Sequence, residues 1–291
     1  MRFYSLNLEH RTENWTEIIT PKKGLFELNL RELIRYKDLI LLFVRRDFVS
    51  AYKQTVLGPI WFFIQPLFTT AIYIVIFTKI AKLSTDGIQP TLFYLSGVTI
   101  WTYFSDCLLK TSNTFVSNAG IFGKVYFPRL ATPISIIISN FVKLAIQFLL
   151  LIIVYVYYIA NGVVTFELSW TLLLIPYILL IVALLGLGLG IIFSSLTTKY
   201  RDLSFLIQFG IQLAMYATPV IYPYSSAGGK MKELLALNPL TSLLETFRFS
   251  LFNKGDFNLS MLAYSSIATI VILCIGIITF NKVEKSFMDT V

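Results

Sequence analysis

The chain has 291 residues, 56% hydrophobic and only 14% charged, with a net charge of +8. A water-soluble domain carries roughly 25% charged residues, so this composition excludes one and points to the membrane. A single histidine, His10, and two cysteines, Cys107 and Cys274, leave no Cys/His metal cluster and no Ser/His/Asp constellation to build.

Residues 1–24 are polar and read as a cytoplasmic tail, without the apolar stretch of a cleavable signal peptide. Over 25–56, Leu30, Leu33, Ile34, Leu41, Val44 and Phe48 recur near helical spacing, while Arg31, Arg35, Lys37, Arg45 and Arg46 take much of the remainder. A basic amphipathic helix of this kind is expected to lie in the membrane interface. The chain then holds six long uncharged runs, 54–78, 87–105, 144–166, 168–198, 203–229 and 257–281, counted from one charged residue to the next, which define a transmembrane region 57–291. About 20 apolar residues cross about 30 Å of hydrocarbon, so each run holds one span. The runs are continuously apolar rather than alternating, which excludes barrel strands. The expected fold is an all-α integral membrane protein of six transmembrane helices.

The first span is predicted to begin near Leu57, where Gly58 and Pro59 mark the turn into the membrane. Pro66, further inside, is expected to kink it and free a backbone carbonyl. The second to sixth spans are placed at about 91–112, 133–158, 171–197, 202–220 and 258–281. Two connections are unusual. The loop 117–133 mixes Lys124 and Arg129 with Ile121, Phe122, Val125, Tyr126 and Phe127, apolar residues that a partner or the bilayer surface should cover. The connection 220–257 contains an apolar stretch, 233–252, broken at Asn238-Pro239 into halves of about 5 and 14 residues. Stretches that short read as a re-entrant segment between the fifth and sixth spans.

Orientation follows from the basic residues. With both termini inside, eighteen of the 24 Lys and Arg fall on the cytoplasmic side and Lys79, Lys82, Lys230, Lys232, Arg248 and Lys254 on the outer side, as positive-inside topology requires. The same bias attracts anionic head groups, so no nucleic-acid partner is needed to explain it.

Within the spans, Gly186 and Gly190 of GLGLG are four residues apart and predict close approach of another helix, not a nucleotide loop. AGGK, residues 227–230, lacks Walker A spacing, so no ATP site is visible. Cys107 and Cys274 read as small apolar residues. Asp106 is expected to form an interfacial ion pair with Lys110 one turn on, and Glu167, Asp202 and Glu245 are the other carboxylates considered for chemistry. The chain carries 25 Phe, 16 Tyr and 4 Trp. Most belong in lipid-facing belts, but Tyr73, Phe77, Tyr216, Tyr222, Tyr224, Phe247, Phe249 and Phe252 are candidates for sugar contact, because a ring offers flat apolar area and a tyrosine adds a hydroxyl.

Five stretches carry a family resemblance: LGPIWFFIQPLF, GKVYFPRLATPI (123–134), KYRDLSF (199–205), ATPVIYP (217–223) and LNPLTSLLETFR (237–248). Their order and the preceding amphipathic helix resemble the ABC-2 type permeases of polysaccharide exporters, over about residues 30–285. The resemblance implies a homodimer in the bacterial inner membrane, bound to two copies of a separate ABC ATPase, which would carry the ATP and Mg. No cofactor is expected in this chain. It further implies ATPase coupling through Arg45, Arg46 and Asp47, through Lys124, Tyr126, Phe127, Pro128 and Arg129, and through Tyr200, Arg201 and Asp202. Trp61, Phe62, Tyr73, Phe77, Tyr216, Tyr222 and Tyr224 would face a substrate channel, with Phe247, Phe249 and Phe252 on an outer gate within 220–257. The implied cargo is a lipid-linked, O-antigen-like polysaccharide, with teichoic acid or capsule as alternatives. A secondary transporter would need ionisable residues near the midplane, and these spans are nearly free of charge. A membrane glycosyltransferase would need carboxylates near the outer face, where the loop between the third and fourth spans offers only Glu167.

Overall fold

In the computed structural model, residues 30–53 and 55–290 are described, and among them all regular structure is helical. The tail 1–24 with His10, and the start of the amphipathic segment, lie outside the described residues.

The amphipathic region forms α1 (Leu30–Arg35) and α2 (Lys37–Tyr52), broken at Tyr36. Leu33, Ile40 and Phe43 are buried against the protein body, while Ile34, Leu41, Leu42 and Val49 remain exposed. The helix is therefore apolar on two sides, one buried against the protein and one left exposed. Gly58, at φ +50°, and Pro59 then turn the chain into α3 (Trp61–Tyr73). Helical winding continues through Pro66 and widens into a π-helical stretch, Ile74–Ile80. Proline cannot donate to the carbonyl one turn back, and Thr69 adds a second bond nearby by donating to the Gln65 carbonyl at 2.9 Å.

The second span, α4 (Pro90–Ser112), is the axis of the chain's fold. Of its most apolar window 78% is buried within the chain, against 17% for the first span Gly58–Ile80. It packs on α6 (Ala131–Ala160), on α7 (Leu174–Thr197) and on α3, and α7 packs in turn on α11 (Leu259–Thr290). The glycines of α7 explain the closeness. A Cβ at Gly186 would sit 2.8 Å from Cys107 Cβ, and one at Gly190 would sit 2.6 Å from Thr111 Cβ, both on α4. On the opposite face a Cβ at Gly188 would lie 3.0 Å from the Leu273 backbone of α11. Small residues let helix backbones meet in this way. Gly190→Val forces α4 and α7 apart and should lower the thermal midpoint of the purified protein, by roughly 1–3 kcal/mol of overpacking. An unchanged midpoint would show that the contact can slide. Of the cysteines, Cys107 is buried in this packing and Cys274 is exposed on α11.

Among the described residues, five helices are long and apolar enough to cross a membrane. The fifth expected span is shorter than the sequence suggests: α8 (Leu203–Tyr216) has 14 residues. At 1.5 Å per residue that is about 21 Å, short of the hydrocarbon thickness. The outer connection then folds into α9 (Gly229–Leu237) and α10 (Pro239–Phe252). Asn238 separates them and caps α10 by accepting from the Leu240 N–H at 3.0 Å, the usual role of Asn before a proline-initiated helix. α10 is buried along nearly its whole length.

The stretch following α4 is not an open loop. Thr114–Phe122 forms α5, and Phe122 and Phe127 are buried. The expectation that a partner or the bilayer surface covers all five large apolar residues of 117–133 is corrected for Phe122 and Phe127, which the chain itself buries. Phe122 and Phe127 pack on each other at 5.6 Å, and Phe127 packs on Phe43 of α2, also at 5.6 Å. Val125 and Tyr126 remain exposed.

Candidate functional site

Three groups of residues carry the functional candidates. The first is the face formed by α2, α5 and the turns after α5 and α7. Lys124, Tyr126, Tyr200, Arg201 and Asp202 are exposed there. Pro128 and Phe127 are buried and Arg129 is half-buried, its guanidinium 5.7 Å from the Phe122 ring. The exposed residues thus stand on an aromatic base. Phe115 stacks on Phe280 of α11 at 4.8 Å and meets Phe122 at 5.9 Å. Phe122 in turn connects through Phe127 to Phe43. Contacting rings thus connect this face to α2 and α11. Arg45 is exposed. Arg46 pairs with Asp47 at 2.8 Å and donates to Asn118 Oδ1 of α5 at 3.4 Å.

The second group lies where α3 meets α4 and α8. Tyr73 donates its hydroxyl to Met215 Sδ at 3.5 Å, which links the first and fifth spans, and its ring meets Phe77 and Tyr94 edge-on. Trp61 and Tyr216 are exposed, while Tyr73, Phe77 and Tyr222 are half-buried. The Tyr222 hydroxyl donates to the Tyr216 carbonyl at 2.9 Å. The remaining ring candidates sit elsewhere: Phe62, Tyr224, Phe247 and Phe252 are buried within the protomer. Phe252 packs on Tyr155 at 5.3 Å and Phe249 stacks on Phe257 at 5.4 Å. Phe247 and Phe252 of α10 thus serve as core, while Phe249 is half-buried.

The third group joins Glu245, one of the carboxylates named from the sequence, to Arg248. Arg248 on α10, counted there among outer-side cations, is 0% exposed. Its guanidinium donates to the carbonyls of Pro219 and Val220, each at 2.7 Å, pairs with Glu245 at 3.3 Å, and lies 3.7 Å over the Phe93 ring. Glu245 also accepts from the Tyr224 N–H at 3.3 Å. Non-helical backbone at membrane depth persists only where the protein itself satisfies it. Arg248 does so for the segment that completes the short α8. α10 is not a spanning helix, and the Arg248 guanidinium and the Glu245 carboxylate face each other within it.

The expected pairing of Asp106 with Lys110 is corrected. Asp106 forms its ion pair with Lys143 of α6 at 2.7 Å, and Lys110 donates instead to Asn140 Oδ1 at 2.8 Å. A neighbouring helix offers a shorter path than the next turn of the same helix. Among the described residues no cluster of metal-ligating side chains occurs.

Comparison with known proteins follows the same lines. The family described as ABC-2 type transporter matches residues 38–252. An O-antigen export system permease protein of Klebsiella pneumoniae is 29% identical over 252 residues, covering 87% of this chain and 94% of the relative. A protein of the same name from Myxococcus xanthus is 24% identical over 264 residues, covering 90% and 98%. A polysialic acid transport protein of Escherichia coli is 22% identical over 253 residues, covering 84% and 93%.

Proposed function

The chain belongs to the ABC-2 type transporter family, and from that membership we propose that it is the membrane-spanning permease of an ATP-driven exporter of lipid-linked polysaccharide. The relatives named for O-antigen export, matched along most of their length, favour an O-antigen-like cargo. A capsule-type polymer is the second reading, favoured by the relative named for polysialic acid transport. ATP hydrolysis is assigned to a separate ATPase subunit, and two permease chains form the working unit in the bacterial inner membrane with both termini cytoplasmic.

The observation that carries the reading is a division of exposure. One set of exposed residues, Lys124, Tyr126 and Tyr200 to Asp202, suits a docked subunit. Another, the large apolar faces of α3 and α8 including Phe68, Ile72, Phe209, Leu213 and Tyr216, is left uncovered by a lone protomer. Two protomers bringing these faces together would surround a path lined by apolar and aromatic groups. A hydrophilic chain moves along such a wall because each contact is weak and the next resembles it.

Deletion of the protein should remove the long-chain glycan from the cell surface and leave its lipid-linked precursor inside. Surface glycan at the normal level after deletion would refute the export reading. For the path itself, Tyr73→Ala and Tyr216→Ala should each slow export several-fold, because stacking on an aromatic face is worth about 1 kcal/mol per contact. Surface glycan should then accumulate more slowly in a pulse-chase measurement. Wild-type rates in both variants would assign these rings to packing alone.

A further inference from the structure

A cavity of about 690 Å³ opens where α2, α3, α4, α5, α6 and α8 converge. Its lining holds three cations, Arg46, Lys110 and Lys143, against one carboxylate, Asp47. Lys143 is held 2.7 Å from Asp106 with its side chain 17% exposed, and its ammonium lies 5.8 Å from the Phe62 ring. Lys110 donates to the neutral amide of Asn140 and forms no ion pair with a carboxylate among the described residues. Placing cations on helices in or beside the membrane is costly unless they serve a charged partner. Arg46 and Lys143 are each paired with a carboxylate, Asp47 and Asp106, so Lys110 is the cation of the lining whose charge no carboxylate meets among the described residues.

Behind the Lys143–Asp106 pair lies a second cavity of about 240 Å³, bordered by Lys143 and Asp106 together with Gln65, Tyr73, Trp101 and Gln147. The ion pair therefore stands between a basic chamber and one lined by aromatic and amide groups. That sequence of chemistries matches a molecule with an anionic phosphate joined to a sugar. We propose that the two cavities together hold the phosphate–sugar junction of a lipid-linked glycan. Lys110, Lys143 and Arg46 take the phosphate or diphosphate ester, and the chamber beyond the ion pair receives the first sugar. The assignment rests on the export reading and extends it to a site inside each protomer. An incoming phosphate competes with Asp106 for Lys143, so occupation of the first chamber loosens the partition to the second.

The test uses the full chain in phosphatidylcholine nanodiscs with farnesyl diphosphate as probe. Lys110→Gln, whose side chain bonds only an amide, should weaken binding by about tenfold, the loss of one charge-assisted contact. Ser139→Asp, which adds a carboxylate to the lining, should weaken it further. The pair Lys230→Gln and Lys232→Gln, in α9, should bind as wild type. Unchanged binding in both cavity variants would overturn the site. Inorganic pyrophosphate binding as tightly as farnesyl diphosphate would mean a free anion is the ligand, and equal competition by phosphatidylglycerol would mean any anionic lipid is. Either result overturns the assignment to a glycan carrier. For the second chamber, farnesyl diphosphate bearing one sugar should bind more tightly than the bare diphosphate, and Gln147→Leu should erase the difference. No difference in the wild type would remove the sugar from the proposal. Binding is read without export, so the two readings fail separately. Loss of surface glycan on deletion alongside cavity variants that bind normally would sink only the site.

Discussion

Replacing Arg248 with leucine should cost the folded protein about 3–5 kcal/mol, the typical loss when one member of a buried ion pair is removed. The Glu245 carboxylate would lose its counter-charge, and the carbonyls of Pro219 and Val220 would each lose a 2.7 Å donor. Each such unsatisfied group costs about 1–3 kcal/mol. The expected result is a sharply lower thermal midpoint and loss of export. Arg248→Lys should rescue little, because one ammonium cannot reach two carbonyls and a carboxylate in the geometry of the guanidinium fork. The double variant Glu245→Leu with Arg248→Leu separates the contributions. It removes the stranded charge but leaves both carbonyls bare, so it should recover part of the loss and not all of it. Full recovery would mean that Arg248 serves only Glu245, and the backbone-capping role would be wrong.

The second large effect is expected at the exposed face. Asp202→Lys combined with Arg201→Glu reverses two adjacent charges in the turn between α7 and α8 without touching a buried contact. The variant should insert and fold normally yet lose its hold on the ATPase subunit by roughly tenfold or more, as charge reversal at an interface costs several kcal/mol. Pull-down of the ATPase with tagged permease, alongside the thermal midpoint of the permease, reads both consequences. Retained association would move the docking assignment away from this turn. Lys124→Glu, on the neighbouring exposed stretch, should weaken the association to a smaller degree.

Much of this molecule is legible from the order of its residues, and the illegible parts share a cause. Uncharged runs mark where most spans lie because a charge without a partner is costly in hydrocarbon, although α6 begins before its run and carries Lys143, which Asp106 pairs. Gly186 and Gly190 announce a close helix neighbour because nothing else suits a missing Cβ twice at one-turn spacing. Asn238-Pro239 divides the outer segment correctly because cap and proline act locally. What fails depends on which helix stands opposite. Asp106 reads as the partner of Lys110 along one helix, yet its ammonium comes from Lys143, 37 residues away on another. Arg248 reads as one more outer cation, but it anchors backbone that exists only because α8 stops short. Phe122 and Phe127 read as interface residues until α2 supplies Phe43 to cover them. Phe247 and Phe252 read as gate rings on the strength of their residue type, whereas burial is decided by the neighbours of α10. The cavity between α2, α4 and α6 follows the same rule, since its cations sit far apart in sequence.

The account stands most directly on reconstitution. The permease and its partner ATPase, placed in sealed vesicles bearing a fluorescent lipid-linked polysaccharide, should move the glycan across the bilayer only when hydrolysable ATP is present. A non-hydrolysable analogue, or omission of the permease, should abolish the movement. Glycan transfer that proceeds equally without ATP, or no transfer with both subunits and ATP present, would contradict the account.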